Sequence, residues 1–270
     1  MTTTPSGNPF AVVTGASSGI GYELARQFAA HGFDLLLAAE DEDIAVAAID
    51  LRRDAHHTVE AVQVDLGTAA GVEQLYQAIE ATGRPVDAIA LNAGRGAGGD
   101  FVRQTDLRDE LEIIDVNVRS TVHLAKRVLP DMVRRNEGRV LFTSSIASTM
   151  PGTYQAVYNA SKSFVQSFAE ALQAELNDTG VTITSLMPGP TDTKFFERAD
   201  MLDTRVGASD SKDDPADVAK QGFEALMKDE PRVVAASLST KAQEAAAKVM
   251  PDRLKAEMHR RMAEPGSAEN

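Results

Sequence analysis

The 270-residue sequence contains no cysteine. This absence excludes disulfide bonds, thiolate-bound metals and a cysteine nucleophile, so any chemistry must come from oxygen- and nitrogen-bearing side chains. Positive charge is also scarce, because 27 Lys and Arg residues stand against 40 Asp and Glu residues and give a formal net charge of −13. A nucleic-acid-binding protein needs a clustered positive surface, so the charge balance argues against that class.

Long hydrophobic runs are missing as well. No stretch of about 18 consecutive apolar residues occurs, and residues 1–10 have neither the basic start nor the apolar core of a secretion signal. We therefore expect a cytoplasmic protein that does not bind membranes. The apolar fraction of 43% is ordinary for a globular chain, and the length predicts a single domain over residues 1–270.

Short apolar stretches alternate with longer stretches of helical period along most of the chain, which is typical of repeated βαβ units. The pattern predicts an α/β fold: a Rossmann-type, doubly wound parallel sheet of seven strands in a three-layer α/β/α sandwich. The predicted strands are residues 10–14, 34–38, 59–64, 88–92, 139–144, 182–187 and 232–235. The predicted helices are residues 20–31, 43–53, 69–82, 107–135, 153–178 and 215–228.

Two segments depart from this alternation. Residues 190–214 are polar overall but contain Phe195 and Phe196 and follow a strand, so we expect a lid over the substrate. Residues 238–262 predict one or two helices interrupted at Pro251. We interpret this helical appendage as a packing or dimer contact, with a surface-binding helix as the alternative.

A glycine-rich turn follows the first predicted strand, where residues 14–21 read T-G-A-S-S-G-I-G. Such a turn lets the backbone approach a pyrophosphate, whose charge is met by the amides at the start of the next helix. An ordinary glycine-rich turn is the simpler alternative. The same letters also match the G-x-S-x-G elbow of serine hydrolases, with Ser17 as nucleophile and His259 as the one late histidine, but that elbow normally follows a central strand. The candidate cofactor-binding residues here are Gly15, Ser17, Ser18, Gly19, Ile20 and Gly21.

Tyr158 and Lys162 lie four positions apart in a predicted helix, so both side chains reach one pocket. A nearby ammonium lowers the pKa of a phenol, which can then exchange a proton with a substrate oxygen. Alone, such a pair also arises by chance on solvated helix faces. Ser145 follows the fifth predicted strand at the carboxyl edge of the sheet, where its hydroxyl can bind the same oxygen.

With these residues in place, the sequence resembles a short-chain dehydrogenase/reductase of the compact form over residues 8–236. The resemblance rests on six motifs in the family's order. They are the turn at residues 14–21, Asp65, Asn92-Ala93-Gly94, Asn117, Ser145 with Tyr158-x-x-x-Lys162, and Pro188-Gly189 with Thr193.

The resemblance implies an oxidoreductase that transfers a hydride between a nicotinamide cofactor and a carbonyl or secondary alcohol. Tyr158 would be the general acid/base, Ser145 would position the substrate oxygen, Lys162 would also hold the nicotinamide ribose, and Asn117 would hold a water for proton relay. The family also forms homodimers and homotetramers through the helices predicted at residues 107–135 and 153–178. Cofactor-binding residues implied beyond the turn are Asp65, Leu66, Asn92, Ala93, Gly94, Tyr158, Lys162, Pro188, Gly189, Thr191 and Thr193.

Glu40 follows the second strand, where the family meets the adenosine ribose and where NADP-preferring relatives often carry Arg. Acids there repel a 2′-phosphate, so NAD(H) is favoured, and NADP(H) stays open if Arg52, Arg53 or Arg95 reaches the site. A non-catalytic dinucleotide-sensing or scaffold protein is the alternative function.

The substrate is a small molecule, expected to be apolar. Ser145, Met150, Tyr158, Phe195 and Phe196 are the candidate substrate-binding residues, although the apolar ones could instead only pack the lid. The five histidines show no metal-ligand spacing, so no metal site is expected.

Overall fold

The computed structural model describes residues 7–53, 57–235 and 250–269. Seven parallel strands form one sheet in the order β3-β2-β1-β4-β5-β6-β7. The order changes direction between β1 and β4, and a ligand crevice is expected at the carboxyl ends of the strands at such a point. The strands are β1 Phe10–Thr14, β2 Asp34–Ala39, β3 Val59–Gln63, β4 Ala88–Leu91, β5 Gly138–Thr143, β6 Val181–Pro188 and β7 Arg232–Ala235.

Helices cover both faces of the sheet and enclose two hydrophobic cores. One core contains Leu124 and Phe142, and the other contains Phe28 and Phe223. This arrangement confirms the predicted Rossmann-type three-layer fold. The α-helices are α1 Gly19–Ala30, α2 Asp43–Arg52, α3 Ala69–Ala81, α4 Leu107–Ile113, α5 Ser120–Arg135, α6 Ala156–Glu175, α7 Phe195–Arg198, α8 Arg205–Ala208, α9 Pro215–Met227 and α10 Asp252–Ala263.

Two helices differ from their predicted form. The helix predicted at residues 107–135 contains a π-helical segment, Ile114–Arg119, between α4 and α5. The helix predicted to begin at residue 153 begins at Ala156, because Tyr154 has a φ of 66° and the left-handed backbone cannot belong to an α-helix. Strand boundaries shift by at most one residue at either end, and β1 and β7 have the predicted bounds.

Segment 190–214 contains the short helices α7 and α8 and packs against α10. A third hydrophobic cluster joins Phe196, Ala199 and Met201 to Ala263. The tail is fastened further by Gly266, whose amide donates to the Asp203 carboxylate at 2.7 Å. Part of the predicted tail, residues 238–249, lies outside the described residues. In the described part of the chain, no helix is long and apolar enough to cross a membrane.

Candidate active site

A cleft of about 520 Å³ lies at the carboxyl edge of the sheet, a typical size for a small-molecule site. It runs from the ends of β1 and β2 to segment 190–214 and α10. With the exception of Asn117, every site residue predicted from the sequence lines it. They are Gly15, Ser17, Ser18, Gly19, Ile20, Gly21, Glu40, Asp65, Leu66, Asn92, Ala93, Gly94, Ser145, Met150, Tyr158, Lys162, Pro188, Gly189, Thr191, Thr193, Phe195 and Phe196.

The glycine turn forms a cradle that side chains would fill. A Cβ on Gly21 would lie 2.1 Å from the Gly15 carbonyl oxygen, and a Cβ on Gly15 would lie 2.9 Å from the Ala93 Cα atom. Gly15 also has a φ of 65°. Ser18 precedes α1 without a capping hydrogen bond from its side chain, so the first-turn amides remain available to an anion. These residues fit the pyrophosphate of a dinucleotide.

A hydrogen-bond network crosses the carboxyl ends of three strands. The amides of Asn92 and Ala93 donate to the Thr14 hydroxyl at 2.9 and 3.0 Å. The Thr143 hydroxyl donates to the Asn92 Oδ1 atom at 3.0 Å. Lys162 Nζ in turn donates to the Thr143 carbonyl at 2.9 Å. The network therefore connects the start of the glycine turn to the lysine of α6.

Ser145, Tyr158 and Lys162 come together as predicted from the sequence. The Tyr158 phenol lies beside the Ser145 hydroxyl, and Lys162 Nζ lies 5.9 Å from the centroid of the Tyr158 ring. Ser145 is held in place because its hydroxyl accepts from the Ala147 amide at 3.1 Å. A hydroxyl, a phenol and an ammonium thus meet at one end of the cleft.

The electrostatics of this trio differ from the expectation. Burial raises the pKa of Tyr158 to about 12, and the hydrogen bond with Ser145 opposes this rise. Burial also lowers the pKa of Lys162 to about 8. The expected lowering of the Tyr158 pKa is therefore wrong for this structure. The physical reason is that loss of water disfavours both charged forms, the phenolate and the ammonium.

Asn117 lies behind the cleft wall, in the π-helical segment. Its Nδ2 atom donates to the Arg95 carbonyl at 2.9 Å and to the Ser161 hydroxyl at 2.8 Å, and its Oδ1 atom accepts from the Arg95 amide at 2.8 Å. The side chain is only 1% exposed. Asn117 therefore fastens the chain next to Gly94 to α6, and its role in holding a water stays a prediction.

At the adenosine end, sequence reasoning chose Glu40 and missed Asp41. The Glu40 side chain is 52% exposed and lies 4.0 Å from Arg95. Asp41 accepts hydrogen bonds from Ser17 Oγ at 3.0 Å and Arg198 Nη2 at 3.2 Å. Its Oδ1 atom is buried and has no hydrogen-bond partner within the described ranges. The acidic run was the available signal, but Ser17 and Arg198, which bind Asp41, lie on other segments of the chain.

The substrate end contains residues that the sequence did not reveal. Met258, His259 and Met262 of α10 line the cleft, so the tail is more than a packing appendage. On the opposite wall, the Phe195 ring lies 5.1 Å from the Tyr158 ring, centroid to centroid. Since α10 is about 100 residues from Tyr158 in sequence, only tertiary packing places it here.

The serine hydrolase alternative gains no support. The Ser17 hydroxyl donates to the Asp41 carboxylate, whereas the His259 ring is hydrogen-bonded to the Thr153 carbonyl at 2.9 Å. Among the residues that the structure describes, no histidine is hydrogen-bonded to Ser17. Among residues 7–53, 57–235 and 250–269, no group of three or more His, Asp or Glu side chains is arranged to hold a metal ion.

Comparisons with known proteins agree with this geometry. The family model described as short chain dehydrogenase matches residues 9–201. A curated relative, the NADP-dependent 3-hydroxy acid dehydrogenase YdfG of Salmonella typhi, is 30% identical over 178 residues, covering 66% of this chain and 71% of the relative. The chain belongs to the short-chain dehydrogenase family, and it is an oxidoreductase of that family.

Solved structures give the same result. A short-chain dehydrogenase/reductase from Burkholderia phymatum in complex with NAD aligns with a TM-score of 0.81, 27% identity and coverage of 96% of this chain and 97% of that one. A short-chain dehydrogenase from Sphingobium yanoikuyae in complex with NADPH aligns with a TM-score of 0.79, 25% identity and coverage of 90% and 96%. These two neighbours bind different nicotinamide cofactors.

The buried ammonium of Lys162 predicts a dependence of stability on pH. The lowered pKa corresponds to a cost of about 3 kcal/mol while the group is charged. This loss of folding free energy is complete below about pH 8, where Lys162 is charged in both the folded and the unfolded state. It disappears as the pH rises from about 8 toward the pKa of an ordinary lysine, because Lys162 then becomes neutral in the unfolded state as well. Lys162→Met should therefore be about 1–3 kcal/mol more stable than the wild type at about pH 7. The range allows for the lost hydrogen bond to the Thr143 carbonyl, which offsets part of the gain.

Urea unfolding of both proteins at about pH 7 and about pH 10 measures this difference. Lys126→Met is the control, because Lys126 is an exposed lysine of α5. A Lys162→Met variant that is equally destabilised at both pH values would contradict the prediction.

Proposed function

We propose that the protein transfers a hydride between a nicotinamide cofactor and a carbonyl or secondary alcohol, with Tyr158 as the general acid/base. The observation that carries the proposal is the contact of Tyr158 with Ser145 and Lys162 in the same cleft as the glycine cradle. The cofactor, when bound, supplies the site that gives or takes the hydride. The protein places the substrate and handles the proton.

Each side chain of the trio has a separate task. Ser145 and Tyr158 hydrogen-bond the substrate oxygen. Because the pKa of Tyr158 is about 12, its phenol is protonated at neutral pH and can donate a proton to the oxygen of a carbonyl during reduction. Lys162, anchored to Thr143, presents its other N–H groups to the ribose hydroxyls of the cofactor. The non-catalytic alternative gains no support, because all three side chains are present and in place.

Tyr158→Phe should reduce turnover by about 10²–10⁴-fold, because the ring still packs against Phe195 but the proton donor is gone. Cofactor affinity should stay within about twofold, since the glycine cradle is unchanged. The measurement is oxidation of NADH or NADPH with a panel of ketones, beside a fluorescence titration of each cofactor. In the reverse direction, the wild-type rate of alcohol oxidation should rise with pH above neutrality as the phenolate fraction grows.

Tyr154→Phe is the matched control, because Tyr154 is a neighbouring tyrosine whose hydroxyl contacts Glu264 at 3.4 Å. Its turnover should remain close to that of the wild type. Full activity in Tyr158→Phe would remove Tyr158 from the proposed role.

NAD(H) is the favoured cofactor because the cations near the adenosine end are already paired with acids. Arg95 lies 2.7 Å from Glu112, Lys194 lies 3.2 Å from Asp43, and Arg198 lies 3.2 Å from Asp41. The other two arginines considered from the sequence are also engaged, Arg52 with the Val59 carbonyl and Arg53 with Asp50. A 2′-phosphate would therefore find these five cations already engaged and would lie beside the acids Glu40 and Asp41. The buried Oδ1 atom of Asp41 can instead accept a hydrogen bond from a ribose hydroxyl.

Asp41→Ala should weaken NADH binding by about tenfold and strengthen NADPH binding, because it removes the hydroxyl acceptor and releases Arg198 from its acid. Glu40→Ala should change the ratio of the two affinities less, since Glu40 is more exposed. Fluorescence titration of both cofactors gives the ratio. Wild-type protein that binds NADPH and not NADH would contradict the preference.

Assembly into a homo-oligomer is proposed through α4, the π-helical segment and α6. Leu107, Leu111 and Ile114 share one face at helical spacing and are 69%, 49% and 39% exposed. Ile114 and Phe164, which is 42% exposed, line the same apolar groove on α6. An apolar surface of this kind marks a protein contact.

Phe164→Glu should convert the oligomer into a monomer, because it places a charge in the proposed contact. Light scattering coupled to size exclusion measures the mass. Val46→Glu, a change at a 59% exposed apolar residue of α2, should leave the mass unchanged. A wild-type protein of monomeric mass would contradict the assembly.

A further inference from the structure

The substrate end of the cleft is walled mainly by apolar side chains. Met258 and Met262 come from α10, and Phe196 and Val206 come from segment 190–214. His259 of α10 also lines this wall, and it is only 6% exposed. A polar group that lines an apolar pocket fixes the orientation of a ligand.

The hydrogen bond of His259 defines which ring nitrogen carries the proton. Nδ1 lies 2.9 Å from the Thr153 carbonyl oxygen, and a carbonyl only accepts, so Nδ1 is the donor. Burial lowers the pKa of His259, which keeps the ring neutral at neutral pH. In a neutral ring with a proton on Nδ1, the Nε2 atom is an acceptor. Within the part of the chain that the structure describes, no hydrogen bond reaches Nε2.

The position of Thr153 connects this ring to the catalytic trio. Thr153 lies in the turn that leads into α6, the helix of Tyr158 and Lys162, and its hydroxyl donates to the Ala256 carbonyl of α10 at 3.0 Å. Two hydrogen bonds thus hold α10 against this turn. They fix His259 relative to the point where the reacting oxygen would bind.

The charge on the α10 side of the cleft disfavours one class of substrate. The cleft-lining residues of α10 are Met258, His259, Met262 and Ala263, so within the described residues no Lys or Arg of this helix faces the cleft. Arg260 is paired with Glu257 and Glu264 instead. A substrate carboxylate next to His259 would find no counter-ion among these α10 residues and would meet a lone pair on Nε2.

We propose that His259 Nε2 accepts a hydrogen bond from a hydroxyl or amide N–H group that the substrate carries away from its reacting carbonyl. The substrate class is then a neutral, largely apolar carbonyl compound with one such donor, and not a keto or hydroxy acid. This inference rests on the proposed function and makes His259 a specificity-determining residue for it. A site built for a donor discriminates against analogues without one, because its acceptor is then left unpaired.

Two amide variants separate the two nitrogens of the ring. In His259→Asn, the short amide reaches the Nδ1 position and keeps the bond to Thr153, but the acceptor at Nε2 is lost. In His259→Gln, the longer amide places an oxygen at the Nε2 position and gives up the bond to Thr153. If His259 has a purely structural role, His259→Asn should retain more of the wild-type substrate preference than His259→Gln. If its Nε2 atom is an acceptor for the substrate, His259→Gln should retain more of that preference than His259→Asn.

The experiment compares straight-chain methyl ketones with their ω-hydroxy and ω-carboxylate counterparts over a series of chain lengths, using NADH and NADPH. The readout is the ratio of kcat/KM for each hydroxy ketone to that for the matching ketone. The wild type should show a ratio of about 10 or more at its best chain length and should reject the acids. The ratio should fall to about 1 in His259→Asn and stay above it in His259→Gln.

The outcomes distinguish the two levels of the proposal. Turnover of ketones with no preference for the hydroxy compounds, an unchanged ratio in His259→Asn, or a preference for the acids overturns this inference alone. Absence of turnover with every carbonyl compound and both cofactors overturns the proposed function and this inference with it. Because the ratio is internal to each variant, partial loss of folded protein does not alter it.

Discussion

The site depends on a set of hydrogen bonds at the carboxyl ends of β1, β4 and β5. Thr14, Asn92 and Thr143 use their side chains to bond one another or the neighbouring backbone, and Lys162 is anchored to the last of them. Thr14 is 2% exposed and Thr143 is 8% exposed. Buried polar groups that are fully bonded fix one geometry, because any displacement leaves an unpaired donor or acceptor. The glycine cradle and Lys162 therefore keep a constant separation.

Burial gives this site its chemical character. The same desolvation raises the pKa of Tyr158 to about 12 and lowers the pKa of Lys162 to about 8. A dry site also strengthens each hydrogen bond within it. Tyr158 is thus protonated at neutral pH, whereas the buried Lys162 ammonium lowers the stability of the folded state. Such a loss of stability is common at catalytic sites.

Much of the fold and of the catalytic set could be predicted from the sequence because the signals are local. Alternating apolar strands and helices gave the order of elements, and the spacing of Tyr158 and Lys162 gave their common direction. Other features depend on interactions between distant segments. Which acid turns inward after β2 is decided by Ser17 and Arg198, on two other segments. The cleft-lining face of α10 and the π-helical segment that buries Asn117 are likewise set by tertiary packing, which no local pattern contains.

Because α10 lies near the C-terminus, the residues proposed for proton transfer and one wall of the cleft lie in separate parts of the chain. The match to the family model ends at residue 201, whereas α10 begins at Asp252. The groups proposed to transfer the proton thus lie in the part matched by the family model, and one wall of the proposed substrate pocket lies beyond it. On the proposed function, a change in this terminal helix would consequently alter the range of substrates while leaving the sequence of the family-matched part unchanged.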